Sequence, residues 1–141
     1  MCAGLLQCGA GVRYVCIMKP VPTWFIASCW VMAVLFCVCV GLQYNDPDPL
    51  RWMGMYGAAA IACAVLPARR MFIAAAIVVA LVAAVWGAYL GHQIKDVLAF
   101  SDLWTRMSEK GGAVEIGREA GGLAIVAITL FIASALRAMR A

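Results

Sequence analysis

From Val21 to Gln43 the chain carries no charged residue. A run of that length and character can cross a bilayer, which needs about 17–25 apolar residues. Three more runs follow, from about Leu50 to Leu66, Met71 to His92 and Val114 to Leu136. None alternates with the period of two expected of a barrel strand. Lipid offers the backbone no hydrogen-bond partner, so each run must be a helix. The reading is an all-α integral membrane protein, an antiparallel four-helix bundle. Its spans are about 21–43, 50–66, 71–92 and 114–136, within a transmembrane domain of 21–137. Residues 1–20 form a cytoplasmic N-terminal segment.

Composition closes the alternatives. Of 141 residues, 66% are hydrophobic and 13% charged, whereas soluble domains lie nearer half and a quarter. The mean hydropathy is +0.95. So small a chain cannot hide that much apolar surface in a water-exposed globule. A soluble enzyme, a disordered tail and a nucleic-acid binder are excluded. The net charge of +4 is spread in ones and twos rather than in a basic stripe. A single His rules out multi-His metal centres within one chain. The first run is too long for a signal-peptide core and lacks a small-residue cleavage site. Seven Cys are present without a C-x-x-C. Cys29, Cys37, Cys39 and Cys63 lie inside apolar runs, where a thiol packs as a small hydrophobe. The segment Met1–Ile17 shows no clear period, and either Met18 is the native initiator or the preceding segment is disordered.

Positive charge orients the spans. Arg13 and Lys19 precede the first, Arg69 and Arg70 separate the second from the third, and Arg137 and Arg140 follow the fourth. The other two connections each carry net charge −1. Both termini are therefore expected in the cytoplasm, in a bacterial inner membrane. Tyr44, Trp52, Tyr56, Trp86, Tyr89 and Trp104 fall toward the acidic side as interfacial anchors. In the long connection before the fourth span, Val97, Phe100, Leu103, Trp104 and Met107 recur at helical spacing. They suggest a short amphipathic interfacial helix, ended by Gly111-Gly112. Small residues mark helix packing: Gly54 and Ala58 in the second span, Ala80, Ala84, Gly87 and Gly91 in the third, Gly122 in the fourth.

The outer ends of the spans hold a polar set. Asn45, Asp46 and Asp48 lie in the turn Asn45-Asp46-Pro47-Asp48-Pro49. His92 ends the third span, and Glu115, Arg118 and Glu119 open the fourth. Asp48 suits a helix N-cap and Pro49 the first helical position. Arg118 at a membrane boundary needs a partner or a wet cavity. An ion pair with Asp46 is the leading structural expectation. A ligand or ion site is the functional one; nitrogen plus carboxylates would suit Zn²⁺, Mn²⁺ or Fe²⁺, and carboxylates alone Ca²⁺.

The run Leu42-Gln43-Tyr44-Asn45-Asp46-Pro47-Asp48-Pro49, followed by Trp52 and Tyr56, resembles the signature of the transmembrane protein 220 family. The run Glu115-x-x-Arg118-Glu119-x-Gly121 is similar to that family's second signature. The resemblance implies a small four-span membrane protein with no assigned activity. The function expected is a non-catalytic accessory or scaffold protein with a polar site at the outer face. The alternative is binding or transport of a small ligand or metal ion by the Asp/Glu/Arg/His cluster. No H-E-x-x-H or G-x-S-x-G is present, so an enzyme is not expected, and no cofactor is implied. The expected partners are the lipid bilayer and other membrane proteins or a second copy of the chain, not nucleic acid.

Overall fold

A computed structural model describes residues 5–6, 13–14, 20–46, 48–104 and 112–140. In the N-terminal segment Leu5–Leu6 (β1) pairs antiparallel with Arg13–Tyr14 (β2). The rest of Met1–Ile17, with Cys2, Cys8 and Cys16, lies outside the described residues. Every other described element is helical. The long helices are α1 (Thr23–Leu42), α2 (Pro49–Val65), α3 (Ile73–Ile94) and α4 (Ala113–Ala138). Short 3₁₀ turns occupy Gln43–Asn45, Arg70–Phe72 and Phe100–Trp104.

Three stretches are long and apolar enough to cross a membrane: Thr23–Asn45, Arg70–Ile94 and Ala113–Ala138. The fourth helix, α2, has 17 residues. At about 1.5 Å per residue it is about 25 Å long, short of a hydrocarbon core of about 30 Å.

Helix α1 packs on α2 and α3 on α4, while α2 also touches both α3 and α4. The inner face of α1 is Phe25, Cys29, Ala33 and Phe36, spaced by three or four as a helical stripe requires. The core continues through Ala59, Cys63 and Leu66, then Ala76, Ala80 and Ala83, then Leu123, Val126 and Leu130. The opposite faces are also apolar: Val31, Val34, Val38, Val78, Val85, Ile125 and Ile132 are exposed. Helices that are apolar all round belong in lipid or in a large core, and a chain of this size has no large core.

Contacts at the two ends set helix direction. Asp46 after α1, Trp52 at the start of α2 and Glu115 at the start of α4 line one cavity. At the other end Arg137 Nε donates to the Leu66 carbonyl at 3.2 Å. There too the Arg140 guanidinium lies 5.7 Å from the Trp24 ring centroid. So α2 and α4 run the same way, and α1 runs against both.

The small residues divide. A Cβ on Gly87 would meet Leu123 Cβ at 3.2 Å and the Ala120 carbonyl at 3.5 Å, so α3 lies close on α4 there. Ala80 is buried, while Ala58 and Ala84 are half-buried. A Cβ on Gly122 would overlap the Tyr56 hydroxyl. Gly54 and Gly91 correct the expectation of packing, because nothing lies within 4 Å of a Cβ built on either. A four-residue spacing alone does not say which way the stripe faces. The thiols divide too: Cys29 and Cys63 are buried, Cys39 is intermediate and Cys37 is exposed on the outward face of α1.

The aromatic belt is only partly a belt. Tyr44, Tyr89 and Trp104 are exposed as anchors should be. Trp52 and Tyr56 are core residues, 4% and 7% exposed. Trp52 stacks on Trp86 with centroids 4.7 Å apart, and Tyr56 stacks on Phe36 at 6.3 Å. In the long connection the described part is a 3₁₀ turn rather than an α-helix, with Phe100 and Trp104 exposed. Met107 and Gly111 lie outside the described residues.

Candidate polar pocket where three helices meet

The pocket is built from two runs about 70 residues apart in sequence. Pro49 takes the first position of α2, where its missing N–H costs nothing. The Asp46 carboxylate accepts from the Asp48 backbone N–H at 3.1 Å, an Asx turn that closes the connection on itself. Asp48 stands at the N-cap but makes no capping hydrogen bond. Its Oδ2 instead pairs with Arg51 Nη1 at 3.2 Å, with both side chains exposed. The capping expectation for Asp48 is thus corrected: a residue three on offers its carboxylate a charged partner.

Across from this turn, α4 begins after Gly112, whose φ of 88° is left-handed. Glycine adopts that conformation without a Cβ penalty. The first two turns of α4 present Glu115, Arg118 and Glu119 to Asp46 across a cavity of about 140 Å³, which Gln43, Trp52 and Tyr56 complete. Asp46, Glu115 and Glu119 are each half-buried, and Arg118 is exposed. Three carboxylates against one guanidinium make the lining acidic.

Arg118 does not serve Asp46 in the way its position suggests. Its Nε donates to the Leu103 carbonyl at 2.9 Å, which ties the connection before α4 back onto that helix. Among the described residues, the close ion pair in this region is Arg51–Asp48, not Arg118–Asp46. Gly117 makes room for the same connection. A Cβ there would meet Leu98 Cδ2 at 2.5 Å and Leu103 Cδ2 at 2.7 Å. A wet, partly exposed arrangement implies weak pairing. A double-mutant cycle on Asp46→Ala and Arg118→Ala in thermal unfolding should give coupling below about 1 kcal/mol. Coupling of about 2 kcal/mol or more would mean a dry pair instead.

Of the polar residues expected at one site, Asp46, Glu115, Arg118 and Glu119 converge. Asn45 and Asp48 are exposed beside the pocket, and His92 is exposed at the end of α3; none of the three lines it. Among the described residues no three His, Cys, Asp or Glu side chains group as a metal site. The metal expectations built on His92 therefore lose their nitrogen ligand. Trp52, Tyr56 and Gln43 are the lining residues the polar pattern did not single out. The signal was present in the pair Trp52 and Tyr56, four apart and thus on one helix face, directly after the acidic turn.

The model of the family described as transmembrane family 220, helix, matches residues 35–135. The chain belongs to that family. The match takes in both walls of the pocket, from Gln43 to Glu119. It makes the chain a membrane protein whose exposed apolar helix faces meet lipid. No match is found among curated proteins or among solved structures.

Proposed function

We propose that this family member is a four-span, non-catalytic accessory protein whose outer-face pocket captures a small polar ligand. The observation that carries the reading is the convergence of Asp46, Glu115, Arg118 and Glu119 on one cavity with an aromatic floor. Ionisable groups at a membrane boundary are costly, and they are retained where they face a wet cavity or a ligand. The cavity is close in size to an engineered apolar hole of about 150 Å³ that admits benzene. That scale suits a ligand of about six heavy atoms.

The short α2 belongs among the spans for two reasons. Its start shares the pocket with the start of α4, and its end meets Arg137 near the end of α4. It therefore extends through nearly the same depth as a helix long enough to span. Removing α2 from the spans would also put Arg69 and Arg70 on the side of Asp46 and Asp48, breaking the alternation of charge. With four spans both termini are cytoplasmic, in a bacterial inner membrane. The exposed turn at Phe100–Trp104 then lies at the outer interface. The accessory role draws support from the open faces at Gly54 and Gly91, where a partner helix could approach the backbone closely.

The test uses a Cys-free full-length chain in intact cells. A membrane-impermeant thiol reagent should label Cys introduced at Phe100 and not at Ala138. Small molecules released from the natively purified protein should be depleted in a Glu119→Gln preparation. Labelling at Ala138 would overturn the orientation. An identical small-molecule profile in the variant would overturn the binding role.

A further inference from the structure

We propose that the cleft between α1 and α4, at the basic end of the bundle, is a binding site for one anionic phospholipid, with an acyl chain along the cleft and the phosphate on Arg140. The site is separate from the polar pocket and does not depend on it.

The cleft follows from how the helices pair. Helix α1 packs on α2 and α3 on α4, and no comparable packing joins α1 to α4. The gap has a volume of about 280 Å³ and a mostly apolar lining. Phe25, Cys29, Cys63 and Ala133 line it and are buried, so the cleft has a closed floor. Trp24, Ile128 and Ile132 line it and are exposed, so it opens sideways to lipid. The lining runs from Trp24 to Met32 on α1 and from Ile128 to Leu136 on α4. Such a stretch of helix is about 12 Å long, close to one leaflet's half of a hydrocarbon core of about 30 Å. The Ser28 hydroxyl in the lining donates to the Trp24 carbonyl at 2.8 Å, so its proton is spent within α1. An apolar hole of about 150 Å³ admits benzene, so this cleft suits a run of about ten chain carbons. A partner helix fits it less well. Helices approach closely over small residues, whereas the rims here are Trp24, Ile128 and Ile132.

Charge identifies the headgroup. The Arg140 guanidinium lies 5.7 Å from the Trp24 ring centroid. Trp24 is one wall of the cleft, and its ring stands edge-on to Phe25 with centroids 6.1 Å apart. A cation is therefore held just past the end of the apolar lining, where a phosphate follows the chains of a lipid. A cation–π contact leaves most of the five guanidinium N–H donors for other acceptors, and guanidinium pairs with phosphate through two parallel hydrogen bonds. Arg69 and Arg70 add positive charge at the same end, and the first turn of α1 has no acidic residue. The described carboxylates, Asp46, Asp48, Asp96, Asp102, Glu115 and Glu119, lie toward the opposite end. Basic clefts between transmembrane helices are recurrent sites for anionic headgroups. A zwitterionic lipid also brings a phosphate, but with a cation of its own that the arginines repel.

Thermal unfolding of the delipidated full-length chain in detergent tests this with phosphatidylglycerol and phosphatidylcholine carrying the same oleoyl chains. Phosphatidylglycerol should raise the midpoint saturably at concentrations where phosphatidylcholine does not. Glycerol 3-phosphate, which has no chain, should leave the midpoint unchanged. Native mass spectrometry should show one retained phosphatidylglycerol. Arg140→Gln should weaken the response about tenfold or more, the loss of a charged hydrogen bond. Ile132→Trp keeps every charge and fills the cleft from an exposed position, so it should weaken the response too. Equal shifts by the two lipids, an equal shift by glycerol 3-phosphate, or full responses in both variants would overturn the assignment. A dimer that Ile132→Trp abolishes, with no lipid response in the wild type, would give the cleft to a second copy and overturn it as well.

Discussion

Replacing Gly122 by alanine should lower the thermal midpoint, and adding Tyr56→Phe should restore most of the loss. In a helix interior Gly→Ala ordinarily stabilises by about 1 kcal/mol. Here the added Cβ overlaps the Tyr56 hydroxyl. The phenol has little room to retreat, since Tyr56 is buried and its ring stacks with Phe36 and with Trp52 at 6.3 Å each. Trp52 in turn stacks on Trp86. Either α4 moves away from α2 or the aromatic stack shifts. Overpacking of this kind costs about 1–3 kcal/mol. The absence of a flexible neighbour places this site at the upper end, so the net loss is about 2 kcal/mol after the propensity gain. Phenylalanine at 56 removes the oxygen that collides. The double-mutant cycle should therefore show favourable coupling of at least about 1 kcal/mol. A Gly122→Ala protein as stable as the wild type would place the two helices further apart than described.

This contact also shows what the sequence could and could not convey. Each of the four apolar runs coincides with a helix, because an apolar run of that length has no other backbone solution in lipid. The convergence of Asp46 with Glu115, Arg118 and Glu119 was legible from the alternation of charge between connections together with the compact bundle that four linked spans imply. The inward or outward sense of each face was not legible. On a helix that is apolar all round, hydrophobicity no longer distinguishes lipid from core. That is why Gly54, Gly91 and Cys37 read as packing residues and face open space. It is also why Trp52 and Tyr56 read as surface anchors and form the pocket floor. Partner choice among charges was equally hidden. Asp48 takes Arg51, and Arg118 takes the Leu103 carbonyl, because nearby groups in a turn reach each other before groups across a cavity do. His92 is exposed at the end of α3 and does not line the pocket.

Arg137 is where an orientation charge turns out to be a structural one. Read from sequence, it is one of several positive residues that hold the C-terminus in the cytoplasm. In the fold it is 6% exposed, and its Nε donates to the carbonyl of the fully buried Leu66, 71 residues away. That carbonyl belongs to the exposed-end set that every helix leaves unpaired at its C-terminus. A cation there also answers the negative end of the α2 dipole, by up to about 2 kcal/mol in a partly buried setting. Two opposing effects follow from truncation. Arg137→Ala relieves a desolvated charge, but it leaves a buried acceptor unserved and removes the aliphatic stem from the packing. A lost hydrogen bond to a charged group is worth about 1.5–3 kcal/mol, and the guanidinium is among the more weakly hydrated cations, so the loss should prevail. Arg137→Ala should destabilise the purified protein by about 2 kcal/mol, and Arg137→Lys, which keeps a donor and the charge, by less than half of that. Orientation should not change, because Arg69, Arg70 and Arg140 remain on the same side. Thermal unfolding and thiol labelling at Phe100 read the two roles separately. An unchanged midpoint with inverted labelling would leave Arg137 as an orientation signal alone. A lowered midpoint with unchanged labelling would identify it as the tie between the ends of α2 and α4.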